Sequence, residues 1–415
     1  HVHEHMLFKG SAKFGVGEIA RTIEAAGGEV NAWTNHEQTV YHAQMSSRFM
    51  EVGLSVLADA VQYPLFDPEE LARELEVIQE EIRRSDDSPG ARAQRQFFAT
   101  AYRQHPYGRP VIGWPEQVAG FKAPDVRAFF DRWYQPHNMT VVVVGDIDPE
   151  QTKVLIAHNF NRPKAEIVHA KPGRAVEMIG DGPRAVVGTA DTREHYLMLG
   201  FAIPGFDEQH LRDVVALDVL ALVLGGSESA RLHVQLCRRL GLVNAVSSSA
   251  YTPADPGQMM FSAIYQDPNV TLQVLDALSR AAFDTRYNVL TADELERAKT
   301  LLTSNMVYEK QTMQGQAHKL GFYDRTFESF ALEAAYYAAI DALTVEDARD
   351  VAIQYLDPAR ATVSLLTPGE SVAAKFGEAD LTQQLRESAA AVAVAAAEAA
   401  KPVALRLRAG QNPDD

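Results

Sequence analysis

The chain of 415 residues is predicted to be an α+β protein of two related halves of about 200 residues, in each of which helices cover an antiparallel-rich sheet. Three observations support this prediction. Segments with the apolar period of a helix alternate with segments that have the period of a strand. Two strand-like runs flank a short polar turn, as in an antiparallel hairpin. A helix–turn–strand pattern near the middle of the chain recurs near its end, which favours two domains of similar design.

The first elements follow from hydrophobic periodicity and from the residues that interrupt it. VGEIARTIEAAGG at 16–28 has apolar residues at helical spacing and ends in glycines, which predicts a helix. EVNAWT at 29–34 and TVYHAQM at 39–45 are predicted as strands around the turn-like NHEQ. SRFMEVGLSVLADAVQYP at 47–64 returns to helical spacing and stops at a proline, so a second helix is expected there.

A long acidic helix and a buried strand are the next predicted elements. DPEELARELEVIQEEIRR at 67–84 begins with Asp67 as an N-cap and an acidic first turn, followed by an apolar stripe. VRAFFDRWYQPHNMTVVVVGDIDP at 126–149 predicts a helix, a proline-bearing turn and a continuous apolar strand of the buried type.

The evidence for two halves is internal repetition. Five identical residues recur 222 positions later, among them Asp125 and Pro136 as Asp347 and Pro358. The tripeptide Val-Asn-Ala at 30–32 recurs 213 positions later. Chance matching of apolar strings does not explain why the two offsets are so similar, so two homologous halves are expected.

Proline, glycine and charged residues set the expected boundaries. We predict an N-terminal half at 1–165, an interdomain linker at 166–185 and a C-terminal half at 186–385. The alanine-rich residues 386–415 are predicted as a tail that forms either a helix or a low-complexity linker.

Composition excludes several classes of protein. The chain has 39 Lys and Arg against 55 Asp and Glu, a formal charge of −16 that argues against nucleic acid and anionic membranes as partners. This charge serves solubility or the attraction of basic ligands. Cys237 is the single cysteine, so any metal site must use histidine and carboxylate ligands. No apolar run reaches the roughly 18 residues of a membrane span.

The first five residues, HVHEH, have two interpretations. They are either a tag remnant or a polar, frayed terminus, or they are an H-x-x-E-H motif, the inverted order of the common zinc-protease helix motif. On a helix His1 and His5 share one face and could bind one metal ion, with Glu4 beside them. His3 points elsewhere and is expected to be a neighbour rather than a ligand.

A catalytic zinc site usually has a third protein ligand, and the long helix offers six glutamates. Periodicity favours a solvated face for most of them, and it does not select one. Glu74 and Glu81 are seven residues apart and therefore share a face of the helix. Spacing alone carries the prediction no further.

The motifs HVHEHMLFKG, VNAWTNHEQTVYHA, ELEVIQEEIRR and HPYGRPVIG resemble the pitrilysin/insulinase family of zinc metallopeptidases, most closely its mitochondrial processing peptidase-like branch. The resemblance covers nearly the whole chain except an initial strand. It implies a zinc-dependent peptidase whose two halves form half of a clam-shell chamber. It also implies that Glu81, 76 residues after His5, completes a Zn²⁺ site with His1 and His5, and that Glu74 supports this site.

The resemblance also implies residue roles. Zinc would increase the acidity of a water molecule and polarise the scissile carbonyl, while Glu4 would accept and return a proton. A peptide substrate would bind as an added strand along Asn31, Ala32, Trp33 and Thr34. For Trp33, a place in the core of an ordinary strand is an equally open alternative.

One family feature is absent. Relatives have an L-R-x-x-x-G-L-x-Y motif in the second half, whose arginine and tyrosine bind the substrate carbonyl. Alignment on Gly241 puts Cys237 and Asn244 at these positions, and a slip that used Arg238 or Arg239 would rotate the side chain by about 100°. The chain is therefore expected to be the zinc-bearing subunit of a bacterial heterodimer, with weak activity unless a homologous subunit supplies the pair.

The sequence has two alternative functions. A scaffold protein like the core subunits of respiratory complexes shares this fold, but such proteins usually lose the zinc ligands that are retained here. A zinc hydrolase of non-peptide substrates has no support beyond the metal motif. Because the chain begins on a candidate ligand, its true N terminus is expected to be missing. A bacterial periplasmic location is expected by resemblance, with the mitochondrial matrix as the alternative.

Overall fold

The structure is a computed structural model that describes residues 1–163, 182–288, 290–327 and 329–400. In chain order the helices are α1 (Val2–Met6), α2 (Glu18–Ala25), α3 (Met50–Gln62), α4 (Pro68–Asp87), α5 (Pro89–Ala101), α6 (Pro115–Gly120), α7 (Ala123–Trp133), α8 (Pro149–Asn159), α9 (Leu211–Gly225), α10 (Thr271–Asp284), α11 (Ala292–Glu309), α12 (Met313–Phe327), α13 (Ala331–Ala342), α14 (Val345–Tyr355), α15 (Glu370–Ala373) and α16 (Glu378–Ala399). The strands are β1 (Glu29–Thr34), β2 (Thr39–Gln44), β3 (Arg184–Ala190), β4 (His195–Ile203), β5 (Ala245–Tyr251), β6 (Gly257–Tyr265) and β7 (Ala361–Pro368). The predicted α+β class is confirmed.

The described residues form two compact units that exchange segments of the chain. Unit 1 comprises those within His1–Ser88, Arg109–Ala175 and Asn305–Ala334, and unit 2 comprises the rest. These units show which segments pack together and do not test whether the two halves of the chain are homologous. The halves 1–165 and 186–385 therefore stay a prediction. Most of the predicted linker 166–185 lies outside the described residues, and its last two residues begin β3.

In unit 1 the predicted hairpin is present. β1 and β2 pair antiparallel, from Glu29 opposite Gln44 to Thr34 opposite Thr39. Helices α2 and α3 contribute a small apolar cluster beside the hairpin, and its fully buried members are Ile19, Ile23, Val56 and Ala60. The hairpin is the sheet of this unit in the described part of the chain.

The long helix α4 begins as the sequence predicts. The Asp67 side chain accepts hydrogen bonds from the backbone N–H groups of Glu69 and Glu70, at 2.8 and 3.1 Å. Its buried stripe packs against the apolar side of α1 in one core cluster, which consists of Val2, Met6, Leu7, Phe66, Leu71, Ile78, Ile82, Val118, Val126 and Phe130. This packing holds the short α1, which is too short to be stable alone, against α4.

The strand predicted after Pro136 is wrong. Residues 139–144 are half-buried but belong to no strand, and no described strand pairs with them. Apolar character predicts burial, whereas a strand also needs a neighbour that accepts and donates backbone hydrogen bonds. The counterpart segment near the end of the chain has such neighbours and forms β7.

Unit 2 contains a five-stranded sheet in the order β3-β7-β4-β6-β5. The β3–β7 pair is parallel and the other three pairs are antiparallel. Helix α5 packs on this sheet, with the fully buried Phe97 seated on Gly200, where an added Cβ would meet its ring at 2.2 Å. The absence of a side chain at Gly200 thus permits the close approach of helix and sheet.

Helix α9 of unit 2 is apolar on all sides, although a helix of that kind reads at first sight as ordinary amphipathic packing. Ten of its fifteen residues are buried, and its apolar residues occur on all sides. A helix that is apolar all round is typical of a core element, and α9 packs between β5 and α14.

The alanine-rich segment is helical as far as the structure describes it. Helix α16 extends from Glu378 to Ala399 and so crosses the boundary expected at 385, while residues 401–415 lie outside the described residues. Among the described helices, none combines the length and the apolar character that a membrane span requires.

Candidate metal centre

The HVHEH segment opens α1, with His1 at the N-cap position, and its polar and apolar residues lie on different sides. Val2 and Met6 are buried in the core cluster shared with α4. His1, Glu4 and His5 are only partly buried, with side-chain exposures of 16%, 18% and 14%. The i,i+4 spacing brings the His1 and His5 rings to a centroid separation of 4.8 Å.

Three potential metal ligands converge between α1 and α4. Glu81 Oε2 lies 3.8 Å from His1 Nε2 and 3.6 Å from His5 Nε2, and the three ligand atoms lie within 4.8 Å of one another. Tetrahedral zinc with bonds of about 2.0–2.1 Å separates its ligand atoms by roughly 3.3 Å. Two imidazoles and one carboxylate at these separations fit a zinc ion with only small side-chain movements.

A chain of contacts orients His5. Its Nδ1 lies 3.0 Å from Glu74 Oε2, and the other oxygen of Glu74 accepts from Lys9 Nζ at 2.7 Å. With a proton on Nδ1 donated to Glu74, Nε2 is left with its lone pair toward Glu81. Glu74 is buried, and Lys9 is the cation that balances its charge. The tautomer that a metal requires is therefore favoured by the surroundings of His5.

Glu4 is held by a different contact. Thr34 Oγ1, at the end of β1, donates to Glu4 Oε2 at 2.6 Å. The same oxygen lies 4.0 Å from His1 Nε2, so the carboxylate borders the three converging ligand atoms. One carboxylate oxygen of Glu4 is thus occupied and the other is available to a further partner.

His3 points away from this cluster, as the sequence analysis expects. Its Nε2 donates to the carbonyl oxygen of Val126 at 2.9 Å, and its ring packs against Phe66, Phe129 and Tyr134. Burial lowers the pKa of the His3 imidazole to about 4, and the bond to Val126 opposes this shift only partly. His3 is therefore a neutral structural residue at physiological pH.

The four residues predicted to bind substrate form most of β1. Among the described strands, β2 alone pairs with β1, so the other edge of β1 has no strand partner there. Trp33 is half-buried and meets the His318 ring edge-on at 5.8 Å. A cavity of about 760 Å³ borders both His1 and the β1–β2 hairpin.

Cys237 and Asn244 lie in unit 2. Cys237 is half-buried in a π-helix at His233–Arg239, and burial raises the pKa of its thiol. The exposed Asn244 donates from Nδ2 to Glu194 Oε1 at 3.0 Å. Neither side chain reproduces the arginine–tyrosine pair of the family motif.

Sequence reasoning missed two contacts of the site. Lys9 lies in the HVHEHMLFKG motif but follows the end of α1, and no local rule predicts its contact with Glu74. Thr34 is predicted as part of the substrate strand, whereas its side chain contacts Glu4. No local pattern predicts that contact, because it joins residues 30 positions apart.

Sequence models of one peptidase family match both parts of the chain. The model described as "Insulinase (Peptidase family M16)" matches residues 1–114, which include every residue of the cluster. The model described as "Peptidase M16 inactive domain" matches residues 120–302, where the sequence has no metal motif.

Related proteins are named zinc proteases. The chain is 29% identical over 358 residues to an uncharacterized zinc protease of Mycobacterium leprae, covering 86% of this chain and 80% of the relative. A protease from Helicobacter pylori has the same fold with a TM-score of 0.82 and 26% identity, covering 89% of each chain. A peptidase M16 inactive domain from Pseudomonas fluorescens shares the fold at 19% identity, with a TM-score of 0.76 over 89% of this chain and 88% of that one.

Proposed function

This chain belongs to the pitrilysin/insulinase family, peptidase family M16, and we propose that it is the zinc-bearing subunit of a metalloendopeptidase. The observation that carries the proposal is the convergence of His1, His5 and Glu81 beside Glu4. The names of the relatives support zinc and peptidase activity. The processing peptidase-like character, the partner subunit and the individual roles of the residues are our inference.

In the proposed site His1, His5 and Glu81 hold the metal. Zn²⁺ bound there supplies Lewis acidity, which polarises a carbonyl oxygen and makes a water molecule more acidic. Glu74 and Lys9 act outside the ligand set by fixing the orientation of His5. Glu74, which the family resemblance marks as a supporting residue, is thus a positioning residue rather than a reacting group.

Glu4 is the proposed general base and acid. Its carboxylate borders the ligand cluster and has one oxygen free of the Thr34 contact. A carboxylate there can take a proton from the attacking water and return it to the amine that leaves when the peptide bond breaks. Proton transfer by a positioned side chain typically contributes 10²–10⁴-fold to the rate.

The proposed substrate is an extended peptide or unfolded segment. The open edge of β1 offers the backbone donors and acceptors of alternate residues within Asn31, Ala32, Trp33 and Thr34, because the others bond to β2, and a peptide can pair with this edge as an added strand. Backbone pairing requires no particular sequence, which suits a peptidase of broad specificity. The strand ends at Thr34, which contacts Glu4, so a bound peptide would run past the proposed base.

We infer that a homologous subunit completes the active enzyme. Cys237 and Asn244 cannot supply the cationic and phenolic groups that the family uses on the substrate carbonyl. Removal of one donor to a developing oxyanion typically costs about 10²–10³ in turnover. The chain alone is therefore expected to bind zinc and to cleave slowly until a subunit with the arginine–tyrosine pair is added.

The test is hydrolysis of an unstructured, internally quenched peptide by the zinc-loaded full chain, together with the Glu4→Gln variant. We expect slow hydrolysis by the wild type, at least 10²-fold slower hydrolysis by the variant, and stoichiometric zinc in both. The Glu76→Gln variant makes the same chemical change at an exposed carboxylate of α4 and serves as the matched control. Addition of the homologous subunit should increase the wild-type rate.

Three results would contradict the proposal in different ways. A wild type that binds less than one zinc ion per chain would overturn the proposed metal site. Equal rates in wild type and Glu4→Gln would overturn the role of Glu4. A zinc-loaded wild type that remains silent even with the homologous subunit would favour the scaffold alternative.

A further inference from the structure

We propose that Thr34 is a positioning residue that holds the Glu4 carboxylate and thereby couples the substrate strand to proton transfer. The inference rests on the proposed function and assigns Thr34 a side-chain role in addition to the backbone role of β1. The observation behind it is the contact between the last residue of β1 and the proposed base on α1.

The geometry of the contact fixes one orientation of Glu4. Thr34 Oγ1 lies 2.6 Å from Glu4 Oε2, the separation typical of a charge-assisted O–H···O⁻ hydrogen bond. The atom bound by Thr34 is also the carboxylate oxygen that lies near His1 Nε2. Thr34 therefore holds the oxygen that borders the ligand cluster and so fixes the orientation of the carboxylate.

The neighbours of Thr34 decide the direction of its proton. Thr34 Oγ1 and Thr39 Oγ1 lie 3.3 Å apart, and these residues are cross-strand partners at the end of the hairpin. A hydroxyl has a single proton, so Thr34 gives it to the nearer and charged acceptor, Glu4 Oε2 at 2.6 Å, in preference to Thr39 Oγ1. The Thr34 proton is thus directed at the Glu4 carboxylate.

The neighbouring tyrosines add no negative charge beside Glu4. The Tyr41 and Tyr134 hydroxyls bond each other at 2.9 Å, and burial raises the pKa values of both, so neither ionises at physiological pH. A peptide that adds to β1 would pair with the same strand whose end fixes the base, so the strand aligns substrate and base together.

The experiment compares Thr34→Val with Thr34→Ser. Valine keeps the shape of threonine and the backbone pairing of β1 but removes the hydroxyl, whereas serine keeps the hydroxyl. We expect Thr34→Val to lower kcat by about 10–100-fold with little change in KM or zinc affinity, because misplacement of a catalytic group by about 1 Å can cost 10² in rate. Thr34→Ser should recover most of kcat.

The matched control is Thr152→Val, which removes another buried threonine hydroxyl of unit 1, bonded to the carbonyl of Asp148 at 2.7 Å. This variant should keep the wild-type kcat. If Thr34→Val retains kcat while the wild type is active, or loses activity only through KM, the proposal is overturned and the proposed function is not. A wild type that binds zinc and hydrolyses nothing even with the homologous subunit overturns the proposed function, and the role of Thr34 in proton transfer with it.

A second measurement does not depend on activity. The urea midpoints of the metal-free chain are compared for Thr34→Val, Glu4→Ala and the double variant. If the two side chains interact, the double variant loses less stability than the sum of the single losses. Additive losses would show that Thr34 does not hold Glu4 and would overturn the proposal whatever the kinetics.

Discussion

Both units contain acidic side chains on packed helices, but among the residues that the structure describes those of unit 1 alone converge with histidines. In unit 1, Glu81 approaches two imidazoles, and all three side chains keep potential ligand atoms directed at one point. In unit 2, Asp213 of α9 accepts from Tyr355 at 2.6 Å, and Asp218 of the same helix is bonded to Tyr336.

The difference shows that the partner of an acid on a packed helix decides what the acid can do. A tyrosine hydroxyl donates a hydrogen bond to the carboxylate and brings no lone pair of a metal-binding imidazole, so no metal site forms there. A neutral imidazole supplies a second lone pair beside the carboxylate, and such a cluster is completed only by a cation. The predictions below test this contrast through equilibrium constants, starting with the largest expected change.

The largest effect is expected for His5→Ala. Zinc binds four-ligand sites with apparent free energies of about 10–16 kcal/mol, so loss of one ligand position should weaken binding by roughly 10²–10³-fold. Competition with a chromogenic chelator measures the affinity directly. Wild-type affinity in His5→Ala would show that the cluster is not the metal site.

His3→Gln is the matched control, because it changes a histidine on the same helix whose side chain faces Val126 instead of the cluster. The glutamine amide can still donate to that carbonyl oxygen, so α1 should keep its packing. We expect unchanged zinc stoichiometry. Loss of zinc here, with α1 still folded, would contradict the assignment of faces on α1.

The next effect concerns Asp218, the acid of unit 2 that Tyr336 binds. Burial raises the pKa of Asp218 to about 7, and the hydrogen bond from Tyr336 opposes that shift only partly. Between about pH 4 and 7 the folded chain keeps this proton and the unfolded chain releases it, so the free energy of unfolding should decrease as pH rises, by on the order of a few kcal/mol, and level off above pH 7.

Urea unfolding of Asp218→Asn across this pH range tests the prediction. Asparagine keeps an acceptor for Tyr336 but does not titrate, so the decrease should be absent and the variant should gain stability relative to wild type at pH 8. Tyr336→Phe should extend the decrease to higher pH, since it removes the donor that favours the ionised carboxylate. If the free energy of unfolding depends on pH in the same way in wild type and Asp218→Asn, Asp218 is not the group that titrates and the prediction is wrong.

The smallest effect is expected for Lys9→Met. Loss of the ammonium group leaves the buried Glu74 without its cation and His5 less firmly oriented. Outer residues of metal sites typically contribute 10–100-fold to affinity, and Lys9 acts one residue further out, so about 10-fold weaker zinc binding is expected. Lys13→Met, which removes an exposed lysine of the following loop, should bind zinc like the wild type.

The repeated helix–turn–strand pattern shows where sequence reasoning stops. Its second copy forms β7, which lies between β3 and β4 and has seven of its eight residues buried. Its first copy is just as apolar at 141–144 and forms no strand. Periodicity describes which residues avoid water, whereas the presence of a pairing strand depends on segments far away in sequence.

The sequence by itself determined the elements that depend on local interactions. The Asp67 cap, the stripe of α4 and the β1–β2 hairpin follow from residues within a few positions of one another, and the i,i+4 spacing of His1 and His5 follows from helix geometry. Glu81 is predicted as a ligand from the spacing to His5 that the family resemblance implies. A rule based on local sequence cannot distinguish among the six glutamates of α4.

Only the tertiary structure decided which polar groups meet. Packing of α1 on α4 brings Glu81 and Glu74 to the two sides of His5, and the end of the hairpin brings Thr34 to Glu4. These contacts join residues 30 to 76 positions apart, and each depends on several apolar contacts that no short pattern encodes. The physical reason is that burial of apolar surface fixes the helix and the hairpin, and the polar contacts form at the positions that this packing leaves.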